Sequence, residues 1–431
     1  MSPASRWHHR CCRPNVVLAG QMPFCKSCTE IHGSQELLDL RLPDRPAIPV
    51  YDELQLSWPS AIVPALRKDD TLGKNDTRVP TTNSRGQLDT TADSSLPNTP
   101  PPTIRCPFYD YDDLRFRDVI RVLELSRGAP GDPLHGQLTT FLIRDDAKYE
   151  ALSYTWGNYD SLDPGDADCS RPCLIYLGDF WDPFPITSNC YYALRRLRSR
   201  GQPRRLWVDS ICINQWNVEE RGHQVDLMDG VFAKASSVIV YLGNESPDSS
   251  LALALLQQPE RMDDVTEDEK SSLDSLFRRP YFSRMWIVQE VALAKSLHFY
   301  CGPSEAIFSP ENWVRCPIIN PWKNKSAAPW LKYSMQSFRE IRDRVSILNF
   351  LEDTGNCQCS DPRDRIFALF GLINIPHSPK LDANYSLSTE QVFTGIAAFA
   401  GLVDQESFRR IAKLASRSQH SQSLPSWVPD W

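Results

Sequence analysis

The feature that most constrains the fold is a strand, helix and strand pattern near the middle of the chain. The stretch RRLWVDSICINQ contains a short apolar strand, LWVD, whose end presents Asp209 and Ser210. Asn217 is the expected cap of a helix of about five turns, and the inward stripe of this helix ends at Ala235. The apolar run VIVYLG predicts the next strand. Strands joined by such a helix are expected to be parallel, which predicts an α/β fold.

Other segments extend this pattern on both sides. YEALSY predicts a strand that ends before Trp156 and Gly157, and LIYLG predicts a further strand. Ser188 is the expected N-cap of a helix in PITSNCYYALRRLRSRG. The acidic insertion that follows VIVYLG predicts one short helix, and SFREIRDRVSILNFLED and STEQVFTGIAAFAGLV predict helices in the C-terminal third, the latter capped by Ser388 or Thr389.

Composition divides the chain into four parts. Residues 68–105 are rich in Pro, Ser, Thr and Asp and predict a disordered linker. It separates an N-terminal arm, residues 1–67, from a main domain at residues 106–310, whose core is expected at 149–295. Residues 311–431 predict a mostly helical C-terminal region.

Charge and hydropathy exclude several classes of protein. The formal net charge of -7 argues against wide nucleic-acid binding. No apolar run reaches the roughly 18 residues that a membrane span needs, and the N-terminus lacks the apolar core of a signal peptide. The 13 cysteines are therefore expected to be reduced thiols in a cytoplasmic protein.

The N-terminal arm contains a cluster of residues that metals favour. Cys25 and Cys28 form a CxxC pair, which is a good half-site for tetrahedral zinc. Cys12 and His32 complete a set of four candidate ligands. The spacing is not that of a standard zinc finger, so a structural zinc site and free thiols remain equal alternatives.

One carboxylate stands in an unusually apolar stretch, RMWIVQEVALA. On a helix, Trp286, Leu293 and Leu297 fall on the stripe of Glu290, and the neighbouring stripe is apolar as well. Burial of an ionised carboxylate is unfavourable unless the carboxylate is paired or hydrogen-bonded, so a buried carboxylate is expected to have a structural partner or a functional role. Glu290 is therefore either paired with an arginine such as Arg284 or Arg279, or held in a cleft for chemistry.

Ligands of open α/β sheets bind at the carboxyl ends of the strands. In this sequence those ends are expected at Tyr154 to Gly157, Asp209 to Cys212 and Gly243 to Glu245. Asp209 can bind a ribose or simply cap the following turn. Arg221, on the helix after Asp209, lines the same cleft or is an ordinary solvated arginine.

Four motifs together resemble the fungal heterokaryon incompatibility (HET) domain. They are YEALSYTWG, RRLWVDSICINQ, ERGHQVDLMDGVFAKASSVIVYLG and RPYFSRMWIVQEVALA, in this order and spacing. The resemblance covers roughly residues 149 to 295, and DPRDRIFALFGL and LPSWVPDW resemble the region that commonly follows the domain. Proteins of this family usually continue past that last motif, which predicts that the sequence is truncated.

The resemblance implies a function and a site. HET domains trigger regulated cell death in non-self recognition, a form of innate immunity, and are distantly similar to Toll/interleukin-1 receptor (TIR) domains, some of which cleave NAD. The resemblance thus implies a TIR-like, flavodoxin-like parallel sheet with flanking helices. The catalytic glutamate of NAD-cleaving TIR domains follows a Trp-x-x-x-Glu pattern, which Trp286 and Glu290 reproduce.

Two hypotheses follow for the function. In the first, the domain hydrolyses NAD with Glu290 as the catalytic carboxylate. The binding residues are then Tyr154, Trp156, Gly157, Asp209, Ser210, Arg221 and Trp286. In the second, a non-catalytic module signals through self-association or through binding to other incompatibility or defence proteins.

Overall fold

In a computed structural model of the chain, the central feature is a mixed β-sheet that is flanked by helices. The structure describes residues 16–19, 22–27, 29, 109–114, 118–145, 148–157, 171–258, 261, 264–308, 328–333, 346–373, 383–402, 405–416 and 423–431. The predicted linker at 68–105 lies outside these residues.

The strands of the described residues form a small N-terminal hairpin and one large sheet. They are β1 (Val16–Ala19), β2 (Met22–Cys25), β3 (Val119–Leu125), β4 (His135–Leu142), β5 (Glu150–Tyr154), β6 (Cys173–Leu177), β7 (Asp182–Ile186), β8 (Arg204–Trp207), β9 (Val238–Tyr241), β10 (Leu297–Cys301) and β11 (Ser304–Phe308). The first two strands pair with each other, and the other strands make the large sheet.

The helices of the described residues are short and precede or follow the strands. They are α1 (Ser188–Leu197), α2 (Asp209–Cys212), α3 (Val218–Asp226), α4 (Met228–Lys234), α5 (Ser249–Leu256), α6 (Glu267–Phe277), α7 (Ile287–Ala292), α8 (Ile347–Asp353), α9 (Asp364–Phe367), α10 (Thr389–Gly401) and α11 (Gln405–Ala415). Single 3₁₀ turns occur at Pro280–Ser283, Pro329–Tyr333 and Phe370–Leu372. Of these described helices, none is both long enough and apolar enough to cross a membrane.

The strand order places four parallel strands at the centre of the sheet. The order is β11-β10-β9-β5-β8-β3-β4-β6-β7. The strands β10, β9, β5 and β8 are mutually parallel, and their chain order across the sheet is 2-1-3-4 when read from β8. This is the order of flavodoxin-like sheets. The predicted α/β class with flanking helices is confirmed, and antiparallel pairs outside the centre make the whole sheet mixed.

The helix predicted between β8 and β9 is in fact two helices. Asn217 caps α3 as expected, since its side chain accepts a hydrogen bond from the backbone nitrogen of Glu220. The helix is interrupted at Leu227. The backbone N–H of this residue donates to the carbonyl oxygen of Gln224 at 3.2 Å, which makes a tighter turn than that of an α-helix. Both halves keep the same apolar period, so the sequence pattern gave no sign of the break.

Three further predictions of local structure were wrong in detail. The insertion after β9 forms α5 and the start of α6 rather than one helix, and both helices bury apolar side chains such as Leu253 and Leu273. The N-cap of α1 is Thr187, one residue before the predicted Ser188, and it accepts from the backbone nitrogen of Cys190. The helix of Glu290 ends before Leu293, so that Leu297 lies in β10 and not on the helix stripe.

The C-terminal region packs into the same core as the sheet. Buried side chains of Ile366, Phe367 and Leu372 belong to the apolar cluster that also contains the central strands. Gly371 packs directly against the main domain, because a Cβ atom there would stand 2.5 Å from the Cβ of Asp229 and 2.9 Å from the side-chain amide of Gln289. Only a glycine leaves room for these two side chains against the backbone at position 371.

This contact predicts opposite effects for two identical substitutions. Gly371→Ala should lower the free energy of unfolding by about 1–3 kcal/mol, because the new methyl group overlaps Asp229 and Gln289. Gly395→Ala, in α10, is the matched control, since no atom lies within 4 Å of its Cβ position. It should raise the same free energy by about 0.5–1 kcal/mol. Urea denaturation measures both, and an unchanged midpoint in Gly371→Ala would show that the segment is not docked.

Candidate functional site

The candidate site lies at the carboxyl edge of the four parallel strands. In a sheet of order 2-1-3-4, the crevice for a ligand opens between the first and third strands, here β5 and β9. The end of β9 turns at Gly243, whose φ of +84° lies in the left-handed region that glycine adopts freely. The loops after β5, β8 and β9 therefore meet at this edge, as the sequence predicts.

Glu290 reaches this edge from α7 and is buried there. It is 5% exposed, and its Oε2 atom accepts a hydrogen bond from the hydroxyl of Ser153 in β5. Burial raises the pKa of Glu290 to about 7, although the charge of Arg284 and the Ser153 hydrogen bond act in the opposite direction. The nearby carboxylate of Asp209 adds to the rise of this pKa. Glu290 is thus a carboxyl group that changes its charge near neutral pH.

Neither arginine that the sequence offered as a partner forms a direct ion pair with Glu290. Arg284 donates from Nη1 to the carbonyl oxygen of Tyr154, at the end of β5. Arg279 donates to the carbonyl oxygens of Leu242 and Asn244 at 2.8 and 2.9 Å, just after β9. Arg284 acts on Glu290 through its charge alone. The two arginines therefore fasten the segment between them to the ends of β9 and β5.

Asp209 is the second carboxylate of the cluster. It begins α2 and accepts hydrogen bonds from Nε1 of Trp156 at 2.8 Å and from the backbone nitrogen of Ser210 at 2.7 Å. Burial raises the pKa of Asp209, against the effect of the Arg284 charge. The hydroxyl of Tyr154 donates to Oγ of Ser210 at 2.7 Å. The charge of Arg284 thus acts on both carboxylates, Glu290 and Asp209. Four of the predicted binding residues lie together here: Tyr154, Trp156, Asp209 and Ser210.

Two other predicted binding residues face the C-terminal region instead. The indole of Trp286 donates to Oδ2 of Asp364 at 3.0 Å, and the charge of Arg221 acts on Asp361 and Tyr385. Burial raises the pKa of Asp364 to about 6. Gly157 is buried, three residues after the end of β5. Roles for these residues in ligand binding remain predictions.

Comparison with known proteins assigns the central part of the chain to a family. Residues 149–290 match the family described as "Heterokaryon incompatibility protein (HET)". This part of the chain is a HET domain. The match begins before β5 and ends at Glu290, so it contains the two carboxylates and three of the four central strands.

One curated relative is similar over most of the chain. It is "Heterokaryon incompatibility protein 6, OR allele" of Neurospora crassa, at 25% identity over 412 residues, covering 75% of this chain and 59% of the relative. The chain therefore spans about three fifths of the length of this relative. None of the solved structures matches the chain significantly.

Two further residues of the candidate site could not be found from the sequence. Ser153 lies in the strand motif YEALSY, and Tyr281 lies in the 3₁₀ turn before α7. Their hydroxyl oxygens are 2.6 Å apart, and Ser153 also contacts Glu290. Ser153 is 137 residues from Glu290 in sequence, and a serine in a strand is too common a feature to indicate such a contact.

The predicted zinc ligands lie mostly outside the described residues. Cys12, Cys28 and His32 are not among them, whereas Cys25 is buried at the end of β2. The backbone nitrogen of Thr29 donates to the carbonyl oxygen of Cys25 at 2.8 Å, so the chain turns after this cysteine. Within the described ranges no group of three or more potential ligands is present. The zinc site stays a prediction.

The raised pKa of Glu290 predicts how the substitution Glu290→Gln changes the stability of the folded protein at different pH values. In the folded protein Glu290 keeps its proton up to about pH 7, whereas its ordinary pKa is 4.5. The unfolded chain therefore ionises first, and stability falls as pH rises from 4.5 to about 7. Above pH 7 the loss is complete and on the order of 3 kcal/mol. Glu290→Gln should thus raise the melting temperature at pH 8 and change it little at pH 5.

Thermal unfolding between pH 5 and pH 8 measures this difference. Glu267→Gln is the matched control, because the Glu267 side chain is exposed and forms only a surface pair with Lys270. It should show no such trend. A Glu290→Gln protein that is destabilised more at pH 8 than at pH 5 would mean instead that the charge of Glu290 stabilises the fold as a structural ion pair.

Proposed function

We propose that this HET-domain protein acts in heterokaryon incompatibility, the fungal recognition of non-self, as a cytoplasmic trigger of regulated cell death. The family match and the name of the Neurospora relative support this role. The partners we expect are other incompatibility or defence proteins, together with further copies of the chain.

The chemical activity that the site supports best is hydrolysis of NAD. Water attacks the carbon of the ribose that carries nicotinamide, the bond to the nicotinamide nitrogen breaks with its electron pair, and the water releases one proton. The products are ADP-ribose, nicotinamide and that proton. Nicotinamide leaves as a neutral molecule because it is cationic in the substrate, so no strong general acid is needed. The ribose becomes positively charged in the transition state, and a fixed carboxylate stabilises that charge.

The observation that carries this proposal is the arrangement of the two carboxylates at the crevice. Glu290 and Asp209 both lie within reach of the charge of Arg284, at the edge where open α/β sheets bind ligands. In this proposal Glu290 faces the reacting ribose carbon and Asp209 binds ribose hydroxyls. Trp156 provides an aromatic surface for a planar ring. Because burial strengthens electrostatic interactions, one ionised carboxylate has a large effect in this setting.

Burial of Glu290 also imposes a condition on this activity. At 5% exposure the carboxylate cannot contact a substrate in the form of the protein described here. The carboxyl edge of the sheet therefore has to open for NAD to enter, while Ser153 and Tyr281 stay in place. Tyr281, Phe282 and Met285 belong to the apolar core, so the segment that carries them is not the part that opens. We expect self-association of the HET domain to promote this opening.

The same burial favours a second candidate function. A closed Glu290 is also compatible with a non-catalytic module that signals by self-association or by binding to a partner protein. In that case Glu290 holds α7 against β5 through Ser153. The two candidates differ in whether removal of the charge abolishes an activity or only changes stability.

Nicotinamide release by the purified protein distinguishes the two candidates. The wild-type chain, concentrated to favour assembly, should release nicotinamide from NAD, and Glu290→Gln should be slower by about 10²–10³-fold. The control Glu267→Gln should keep the wild-type rate. The active form of Glu290 is the ionised one, so the rate should rise about tenfold per pH unit up to about pH 7 and then level off.

Other outcomes support the second candidate. If neither the wild-type protein nor Glu267→Gln releases nicotinamide at any concentration, while light scattering shows reversible self-association, the HET domain acts by binding. A Glu290→Gln protein that releases nicotinamide at the wild-type rate would remove Glu290 from the mechanism altogether.

A further inference from the structure

We propose that Ser153 and Tyr281 are positioning residues, which hold Glu290 through a hydrogen-bond chain that runs in one direction, from Tyr281 through Ser153 to the Glu290 carboxylate. This inference rests on the proposed function and adds to it, because it names the groups that orient the reactive carboxylate. Neither residue touches the substrate in this proposal.

The direction of the chain follows from counting protons. An ionised carboxylate only accepts hydrogen bonds, so the single hydroxyl proton of Ser153 must point to Glu290. The oxygen of Ser153 is then free to accept, and the hydroxyl of Tyr281, 2.6 Å away, is the donor. Each group in the chain uses its proton, so the arrangement is complete when Glu290 is charged.

Reversal of the chain leaves one group without a partner. If Glu290 is protonated and donates to Ser153, then Ser153 donates to Tyr281, and the Tyr281 proton needs another acceptor. Within the described part of the chain, Ser153 is the only hydrogen-bond partner of that hydroxyl, and Tyr281 is 2% exposed. A buried donor without a partner is unfavourable. The chain therefore favours the ionised state of Glu290 and fixes the direction of the carboxylate.

Few other charged groups face the Glu290 carboxylate. Arg284 lowers its pKa and Asp209 raises it. Asp229 of α4 is not among the charges that act on this pKa. On the other elements near α7, Asp364 accepts from Trp286, and Lys332 pairs with Asp353 at 2.6 Å.

Two substitutions interrupt the chain at successive places, and each has a matched control. Ser153→Ala removes the donor to Glu290, whereas Tyr281→Phe removes only the more distant hydroxyl. Ser237→Ala removes a similar serine bond to a different carboxylate, Glu150, at 3.2 Å. Tyr149→Phe removes a buried tyrosine hydroxyl that donates at 2.8 Å to the carbonyl oxygen of Val231, away from the site.

The pH at which Glu290 ionises is the readout, and it is measured in two ways. Stability is measured from pH 5 to pH 9 for each variant with Glu290 and with Glu290→Gln, so that the difference reports only on Glu290. The pH profile of nicotinamide release gives the second measurement. Ser153→Ala should move both midpoints up by about one pH unit, which is roughly tenfold in the ionisation constant. Tyr281→Phe should cause a smaller shift in the same direction.

The substitution Ser153→Ala should also affect kcat and KM for NAD differently. Loss of orientation should lower kcat of Ser153→Ala above the midpoint by about tenfold or more, with KM changed by less than about twofold, because the chain does not contact NAD. Ser237→Ala and Tyr149→Phe should lose stability at all pH values without moving either midpoint.

The outcomes are distinguishable from failure of the proposed function. If no protein releases nicotinamide, NAD hydrolysis is refuted, but the pH dependence of stability still tests the chain. If Ser153→Ala does not fold, Tyr281→Phe carries the test alone. Midpoints that stay unchanged in every folded variant, with losses of stability equal to those of the controls, would overturn the inference and leave Ser153 and Tyr281 as packing residues.

Discussion

The rest of the structure depends on the burial of α7 on all of its sides. Every residue from Ile287 to Ala292 is buried, including the polar side chains of Gln289 and Glu290. A polar group in such a place has to find a partner within the protein. Glu290 accepts a hydrogen bond from Ser153 of the sheet. The side-chain amide of Gln289 donates to the carbonyl oxygen of Ala368 in the C-terminal region. This short helix thus joins the parallel strands on one side to the C-terminal region on the other.

This double contact explains why the core continues beyond the residues that match the HET family. The family match ends at Glu290, yet β10, next to β9 in the sheet, begins at Leu297. Asp364 fastens the C-terminal region further, because its carboxylate accepts from Trp286 at 3.0 Å and from the hydroxyl of Tyr385 at 2.6 Å. The described residues after the family match are therefore a structural part of the same unit.

Burial and hydrogen bonding have opposite effects on the ionised carboxylates of the candidate site. Two carboxylates share the charge of one arginine, and burial raises the pKa of both. An ionised Glu290 lowers the stability of the fold above neutral pH, and such a group persists in proteins mainly where it has a use. Hydrogen bonds from Ser153, and through it from Tyr281, reduce this loss and at the same time fix the carboxylate in one direction. The same few contacts therefore adjust the stability of the fold and, in the proposed function, the reactivity of Glu290.

The sequence by itself determined the fold class, most elements and the edge at which the site lies. Local periodicity is enough to identify strands such as β9 and helices such as α10, whose cap, Ser388, is one of the two residues that the sequence offers. Parallel strands then bring Tyr154 and Asp209 to one edge by geometry alone. The helix break at Leu227 could not be predicted, because both halves share one apolar period. Only the tertiary structure decided the hydrogen-bond partner of Glu290, since Ser153 lies 137 residues away in the sequence and meets it through a contact between distant segments, which no local pattern encodes.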